Sequence, residues 1–387
     1  MRKLLFLFLL FAHLYAEQPI SSGNIRILLA KDMEEILLEV KGPYTVFNPE
    51  DGSRLTSGLV GKRFLAHATA KGLRWGNDFI DIYQIRLEPR SAESTILVDG
   101  IQYSGGIVIY AVQGKLHVVN ELPIENYIYS LLSTQFTDLS ENEVISALAI
   151  VARTDAYYSI LKDPGAFWHV DAKEVGYQGS ALNRPNSLIQ KNLEQTKHLI
   201  LTHTTEGTKS PFPAKWTLHS GGKTAQYTAI FRHDASFSNV SVLAPHAALD
   251  RTGSKWQYTI SKELLGQKFQ LQGIQSIQPY VDKESNKIYA LRLNYANGNK
   301  DLPFFDFQKK LGSSHVLSND FTIEEKGGKF TFVGYGIGHG VGLCLYSATA
   351  MAQNGENALK ILTKFFPGSS LYRLTSSEKE EIVQNVR

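Results

Sequence analysis

The chain has 387 residues, 43% hydrophobic and 20% charged, with 18 Tyr and 20 Phe, enough apolar material for one large or two medium domains. Net charge is +3, and +1 once Arg2 and Lys3 are set aside (38 basic against 37 acidic residues), a balance that argues against a nucleic-acid partner. The one cysteine, Cys344, excludes an internal disulfide and a multi-cysteine zinc site, and the 11 histidines show no HExxH or close paired spacing; neither a metal nor a cofactor is expected.

Residues 1–16 read as an export signal: Arg2 and Lys3, then an apolar run from Leu4 to about Tyr15, with Ala16 before Glu17. The run is too short for a confident span. It is either a cleaved signal peptide or an uncleaved N-terminal anchor, and the working partner then lies in the periplasm or cell envelope. No other segment reads as crossing a membrane. Residues 17–119 form a β-rich region, with short runs such as IRILL, EILLEV, YTVF and GIVIYAV between Gly, Asp, Asn or Pro breaks. They support or flank a site located elsewhere.

Residues 120–374 carry the chemistry, and 375–387 are a polar tail. From Asn120 to Tyr158 two helical patterns flank a short polar break. Pro123 opens the first, with Ile124, Tyr127, Ile128, Leu131 and Leu132 on one face. Ser140 and Glu143 predict a capping box for the second, ahead of a stripe of Val144, Ala147, Leu148, Val151 and Ala152. The break from Ser133 to Leu139 is a place for a polar group aimed into a cleft. Further on, Tyr177 offers a flat face to a sugar or packs into the fold. Ser220, Gly221 and Gly222 make a hairpin turn or a binding loop. Asn297-Gly298 marks a hairpin. Glycine at 334, 336, 338, 340 and 342 predicts an extended strand with all five on one face. In that strand His339 and Cys344 have opposite parity, which disfavours a thiol–imidazole pair.

These motifs resemble the SpoIID/LytB family. Glu125, Asn126, Tyr127, Glu143, Ala147, Ala149, Ala152, Arg153 and Thr154 match its central motif without a gap. His339, Gly340, Val341, Gly342, Tyr346 and Ala348 match its C-terminal one. The family's catalytic Glu falls on Gln135, and Asp155 replaces the usual Tyr after Arg-Thr. The resemblance implies an α+β scaffold acting on peptidoglycan glycan strands, denuded by an amidase, as a lytic transglycosylase that leaves 1,6-anhydro-muramic ends. One tuned acid suffices for that reaction. Gln135 has no proton to give, so Asp138, in the same break, is the candidate substitute. The alternative is a non-catalytic glycan-binding protein. The implied glycan contacts are Arg153, Tyr177, Ser220, Gly221, Gly222, Gly338, His339, Gly340 and Tyr346; Arg153 has the further option of pairing with Glu143 or a backbone carbonyl.

Overall fold

The computed structural model describes residues 23–374 apart from 186, 206 and 233–239. The signal segment and the polar tail lie outside the described residues.

Helices and several sheets combine in an α+β fold. One seven-stranded sheet runs in the order Val170–Asp171, Asn24–Met33, Lys115–Pro123, Gly106–Val112, Gln84–Pro89, Tyr44–Phe47 and Arg54–Gly58. A six-stranded sheet is ordered Ile101–Tyr103, Thr95–Val98, Glu35–Lys41, Lys62–Thr69, Gly72–Trp75 and Asn77–Ile80. Alternation sets which side chains turn inward: Ile25, Ile27, Ile85, Leu87, Ile107 and Ile109 from the first sheet share a core with Leu38, Val40, Ile96 and Val98 from the second. The apolar run FIDIYQIRL is divided between two strands, Asn77–Ile80 and Gln84–Pro89, broken at Asp81, whose φ is 59°. Strands at 54–58, 62–69 and 72–75, unmarked by clean alternation, complete the sheets.

Strand Lys115–Pro123 leads directly into helix α1 (Ile124–Gln135), and α2 (Asn142–Lys162) follows. The 119/120 boundary falls inside this strand, and one hydrophobic core joins both sheets to α1, α2 and the C-terminal helices Leu345–Gln353 and Ala358–Phe365. The five apolar positions expected to face inward on α1 are all buried. Helix α2 is long and apolar enough to cross a membrane, yet it is largely buried at the centre of this core.

The predicted capping box does not form. α2 begins at Asn142 with Glu141 as N-cap and no side-chain cap bond, so Ser140 stands one residue too early. Glu143 instead accepts the backbone N–H of Ala358 at 2.7 Å, satisfying the first turn of a helix distant in sequence.

A second core is built from residues 255–335. Two three-stranded sheets, Lys255–Ser261 with Lys329–Tyr335 and Phe321–Lys326, and Ile274–Val281 with Ile288–Tyr295 and Gly298–Pro303, enclose Phe269, Leu291, Phe304, Phe307 and Phe332. The Asn297-Gly298 hairpin lies here.

The glycine-rich stretch departs from the expected strand. The strand stops at Tyr335, and Gly336, Gly338, Gly340 and Gly342 have φ of +82°, +100°, +71° and +77°. Glycine recurs at alternate positions because the chain enters a left-handed conformation there, which side chains disfavour. Space reinforces the choice: a Cβ on Gly342 would lie 2.0 Å from the Lys215 carbonyl oxygen, and one on Gly336 would lie 2.5 Å from that of His219.

Candidate functional site

Two loops interlock to form the site. Trp216 and Thr217 pair in parallel with Leu343 and Cys344, and His219 bridges Ile337. Thr217 Oγ1 donates to the Ile337 carbonyl at 3.0 Å and accepts the Gly340 N–H at 3.2 Å. In this way Ser220, Gly221, Gly222, Gly338, His339, Gly340 and Tyr346 come together from two distant parts of the chain.

The two loops repeat one local device. His219 Nδ1 accepts the N–H of Gly221 and His339 Nδ1 accepts that of Val341, both at 3.0 Å. Each bond fixes the tautomer with the proton on Nε2. Burial, with Lys215 nearby, pushes His339 down to about 3. Burial also lowers His219, whose Nε2 is enclosed with no hydrogen-bond partner among the described residues. Both rings are neutral at physiological pH. The Tyr346 ring lies 4.7 Å from that of His219 and is 42% exposed, beside exposed Leu218 and Ile337. It is the aromatic face open to a ligand. A hydrogen bond to Asp250 raises its hydroxyl.

Gly221 has φ +69°, and a Cβ there would lie 2.6 Å from Asp320 Oδ2 and 3.3 Å from Lys287 Nζ. What the missing side chain admits is therefore a charged cluster of this protein. Arg251 forks onto Asp320 at 2.8 and 2.9 Å, and Lys287, 1% exposed, donates to Asp320 Oδ2 at 2.7 Å and to the Ser220 carbonyl at 2.5 Å. Burial lowers Lys287 and Asp320 opposes the shift. Cys344 is wholly buried, its sulfur accepting the Ser220 N–H, as a packed core thiol would.

Three other residues lie apart from these loops. Arg153 is 0% exposed: Nε and Nη2 bind both oxygens of Glu125 at 2.8 Å, and Nη1 donates to the Leu199 carbonyl at 3.0 Å. It clamps α1, α2 and strand Leu199–Thr205 and offers no donor to a sugar. Its carboxylate partner is Glu125 in place of the expected Glu143. Tyr177 is also buried, its hydroxyl donating to Asn120 Oδ1 at 2.7 Å between Tyr103 and Tyr127, so its ring packs into the fold and does not meet a sugar. Burial raises that hydroxyl.

Gln135 closes α1 on the surface. Its Nε2 donates to the carbonyls of Val175, at 2.8 Å, and Gly176, at 3.4 Å. Only an amide meets two carbonyl oxygens this way; a carboxylate would repel both. Asp138 is exposed in the break. A pair outside the sequence candidates is Asp155 with Lys215, whose Nζ donates to Oδ2 at 2.6 Å. Burial raises the Asp155 carboxyl, Lys215 opposing, and Oδ1 is enclosed with no hydrogen-bond partner among the described residues. The sequence signal was Asp155 itself, polar where the resemblance expects Tyr; nothing marked Lys215. Among the described residues no group of three or more His, Cys, Asp or Glu is gathered as for a metal.

The site is thus an α+β scaffold carrying two interlocked glycine loops with neutral histidines, beside which Arg251 and Lys287 share Asp320. The family described as Stage II sporulation protein, SpoIID, matches residues 112–203. Uncharacterized proteins of Chlamydia muridarum and Chlamydia pneumoniae are 34% and 31% identical over 188 and 187 residues, 48% of this chain in each case and 65% and 68% of theirs. The chain thus covers about two thirds of each. Stage II sporulation protein D of Bacillus amyloliquefaciens is 25% identical over 271 residues, 65% of this chain and 75% of that protein. The chain belongs to the SpoIID family.

Proposed function

We propose that this SpoIID-family protein is exported and engages peptidoglycan glycan strands during envelope remodelling, holding them on the surface around the exposed Tyr346 ring, which the buried Ser220-to-Gly222 turn and the partly buried Gly338-to-Gly340 loop support. Gln135 is the observation that carries the reading. Where the resemblance expects a catalytic acid, the chain has an amide bonded to two carbonyls, with no proton to give. The exposed Tyr346 ring does not depend on that position, whereas the glycine turn beside it is buried and filled by this protein's own groups.

A second reading is cleavage of lytic transglycosylase type by another carboxyl. Asp155 favours it, being buried, raised in pKa and without a partner at Oδ1 among the described residues. The test incubates the protein with amidase-stripped glycan strands and analyses the products by mass spectrometry. Binding without 1,6-anhydro-muramic ends is the expected result. Anhydro ends that vanish in Asp155→Asn or Asp138→Asn would replace the binding role with catalysis by that residue.

A further inference from the structure

One end of the two-sheet sandwich carries a feature that glycan engagement at Tyr346 does not use. Residues 58–61 cross from strand Arg54–Gly58 of the seven-stranded sheet to strand Lys62–Thr69 of the six-stranded one. Tight turns ordinarily take polar residues, but this one reads Gly58-Leu59-Val60-Gly61. Leu59 is 78% exposed and Val60 81%. The glycines explain why the tip stands clear: a Cβ on Gly58 would lie 2.4 Å from the Tyr44 ring, and one on Gly61 would lie 2.5 Å from the Val40 carbonyl oxygen. Backbone on either side is therefore pressed against the sandwich, and two aliphatic side chains are presented from a fixed base.

Cations gather around this tip. Gly61 packs on Lys41 and Gly42, and the turn at 89–94 joins the same end, the Arg90 N–H donating to the Pro43 carbonyl at 3.0 Å and Ser94 Oγ to the same oxygen at 2.8 Å. Lys41, Lys62, Arg63 and Arg90 stand there against the two carboxylates of Glu39 and Glu93. Glu39 is shared by Lys41 at 3.9 Å and Arg63 at 3.6 Å, loose contacts that leave those side chains 61% and 65% exposed. Lys62 turns aside, its ammonium 4.8 Å from the centre of the Trp75 ring. The neighbouring carboxylates Glu88 and Asp78 are already paired, with Arg86 and Arg74. Positive charge is in excess at this end.

We infer that this end of the sandwich docks on an anionic lipid surface, with Leu59 and Val60 entering the acyl boundary and Lys41, Arg63 and Arg90 meeting headgroup phosphates. Shape and chemistry select that partner. A sugar ring stacks on a flat aromatic face, which branched aliphatic chains do not offer. A stable protein partner needs about 800 Å² of complementary surface, and a convex tip of two residues supplies little of it. A bilayer yields around such a tip, buries its methyl groups and places negative charge where the cations stand. The inference does not rest on the glycan reading.

Residues 1–16 carry an apolar run able to hold a vesicle by itself, so the test reads the tip locally. The full chain takes an environment-sensitive fluorophore at Leu59→Cys; Cys344 is wholly buried and does not compete for it. With vesicles of phosphatidylcholine and phosphatidylglycerol the label is expected to shift to the blue and to be quenched by brominated acyl chains, and to respond far less to phosphatidylcholine alone. The same label at Leu249→Cys, a position 86% exposed on another element, stays in water. Arg90→Gln, also at an exposed position, lowers the ratio of inserted to aqueous label about fivefold, the scale of one basic residue at a charged surface. A label at 59 that stays aqueous while the protein sediments with vesicles would assign attachment to residues 1–16 and overturn the docking site. Equal responses at 59 and 249, or to neutral and anionic vesicles, would overturn it as well.

Discussion

Arg153 and Gln135 occupy positions of one motif and have exchanged importance. Arg153 looked like a sugar contact because it is a long cation in the motif, and nothing in its spacing reveals that Glu125, 28 residues earlier, comes to meet it. The structure gives it a wholly buried, bidentate partner. Removing one side of such a pair typically costs about 3–5 kcal/mol, at the low end where the remaining carboxylate reaches water, as Glu125 partly does. Arg153→Met is expected to lower unfolding free energy by about 3 kcal/mol in urea titration. Glycan affinity measured on the folded fraction stays unchanged; a sugar contact at Arg153 would lower that affinity instead. Gln135 is legible as a departure from the family pattern, but its bonds to the 175–176 turn arise from tertiary contact 40 residues away.

At the level of elements, long apolar periodicity was readable and local backbone geometry was not. The stripe on α1 and most strands of residues 24–120 follow from spacing. The glycine stretch misleads, because a two-residue period is also produced by left-handed turns at alternate residues. Ser140 and Glu143 have the right spacing for a capping box, and tertiary contact with Ala358 takes Glu143 away. One edge element carries a pH dependence. The segment before Val170–Asp171 is pinned to strand Asn24–Met33 by His169, whose N–H donates to the Arg26 carbonyl and whose Nδ1 accepts the Arg26 N–H. Burial, then the Arg26 charge, holds its imidazole at about 4 against an ordinary 6.5. The unfolded chain binds a proton there that the folded chain refuses, so this stabilisation is present in full above about pH 6.5 and is lost as pH falls toward about 4. Thermal unfolding across that window is expected to fall less steeply in His169→Gln than in the unaltered protein. Parallel slopes for the two would show that His169 is not the linked group.

Across the whole molecule, a single core passes through the strand at 115–123 and unites the sandwich of sheets with the motif helices, while residues 255–335 enclose a core of their own. Composition indicated enough apolar material for such cores, but long-range pairing decided how it was divided. That second unit supplies Asp320, which binds Arg251, and Lys287, which reaches the Ser220 carbonyl 67 residues away, which is why the charged cluster left no local trace in sequence. The resulting face has an exposed aromatic ring, neutral histidines and that charged cluster. The most direct check of its role is co-sedimentation of the protein with insoluble, amidase-stripped peptidoglycan, comparing the unaltered chain with Tyr346→Ala. The expected result is retention in the pellet, weakened about fivefold by Tyr346→Ala, the scale of one aromatic contact. Protein that stays in the supernatant, or pellets equally well without the Tyr346 ring, would contradict glycan engagement at this face.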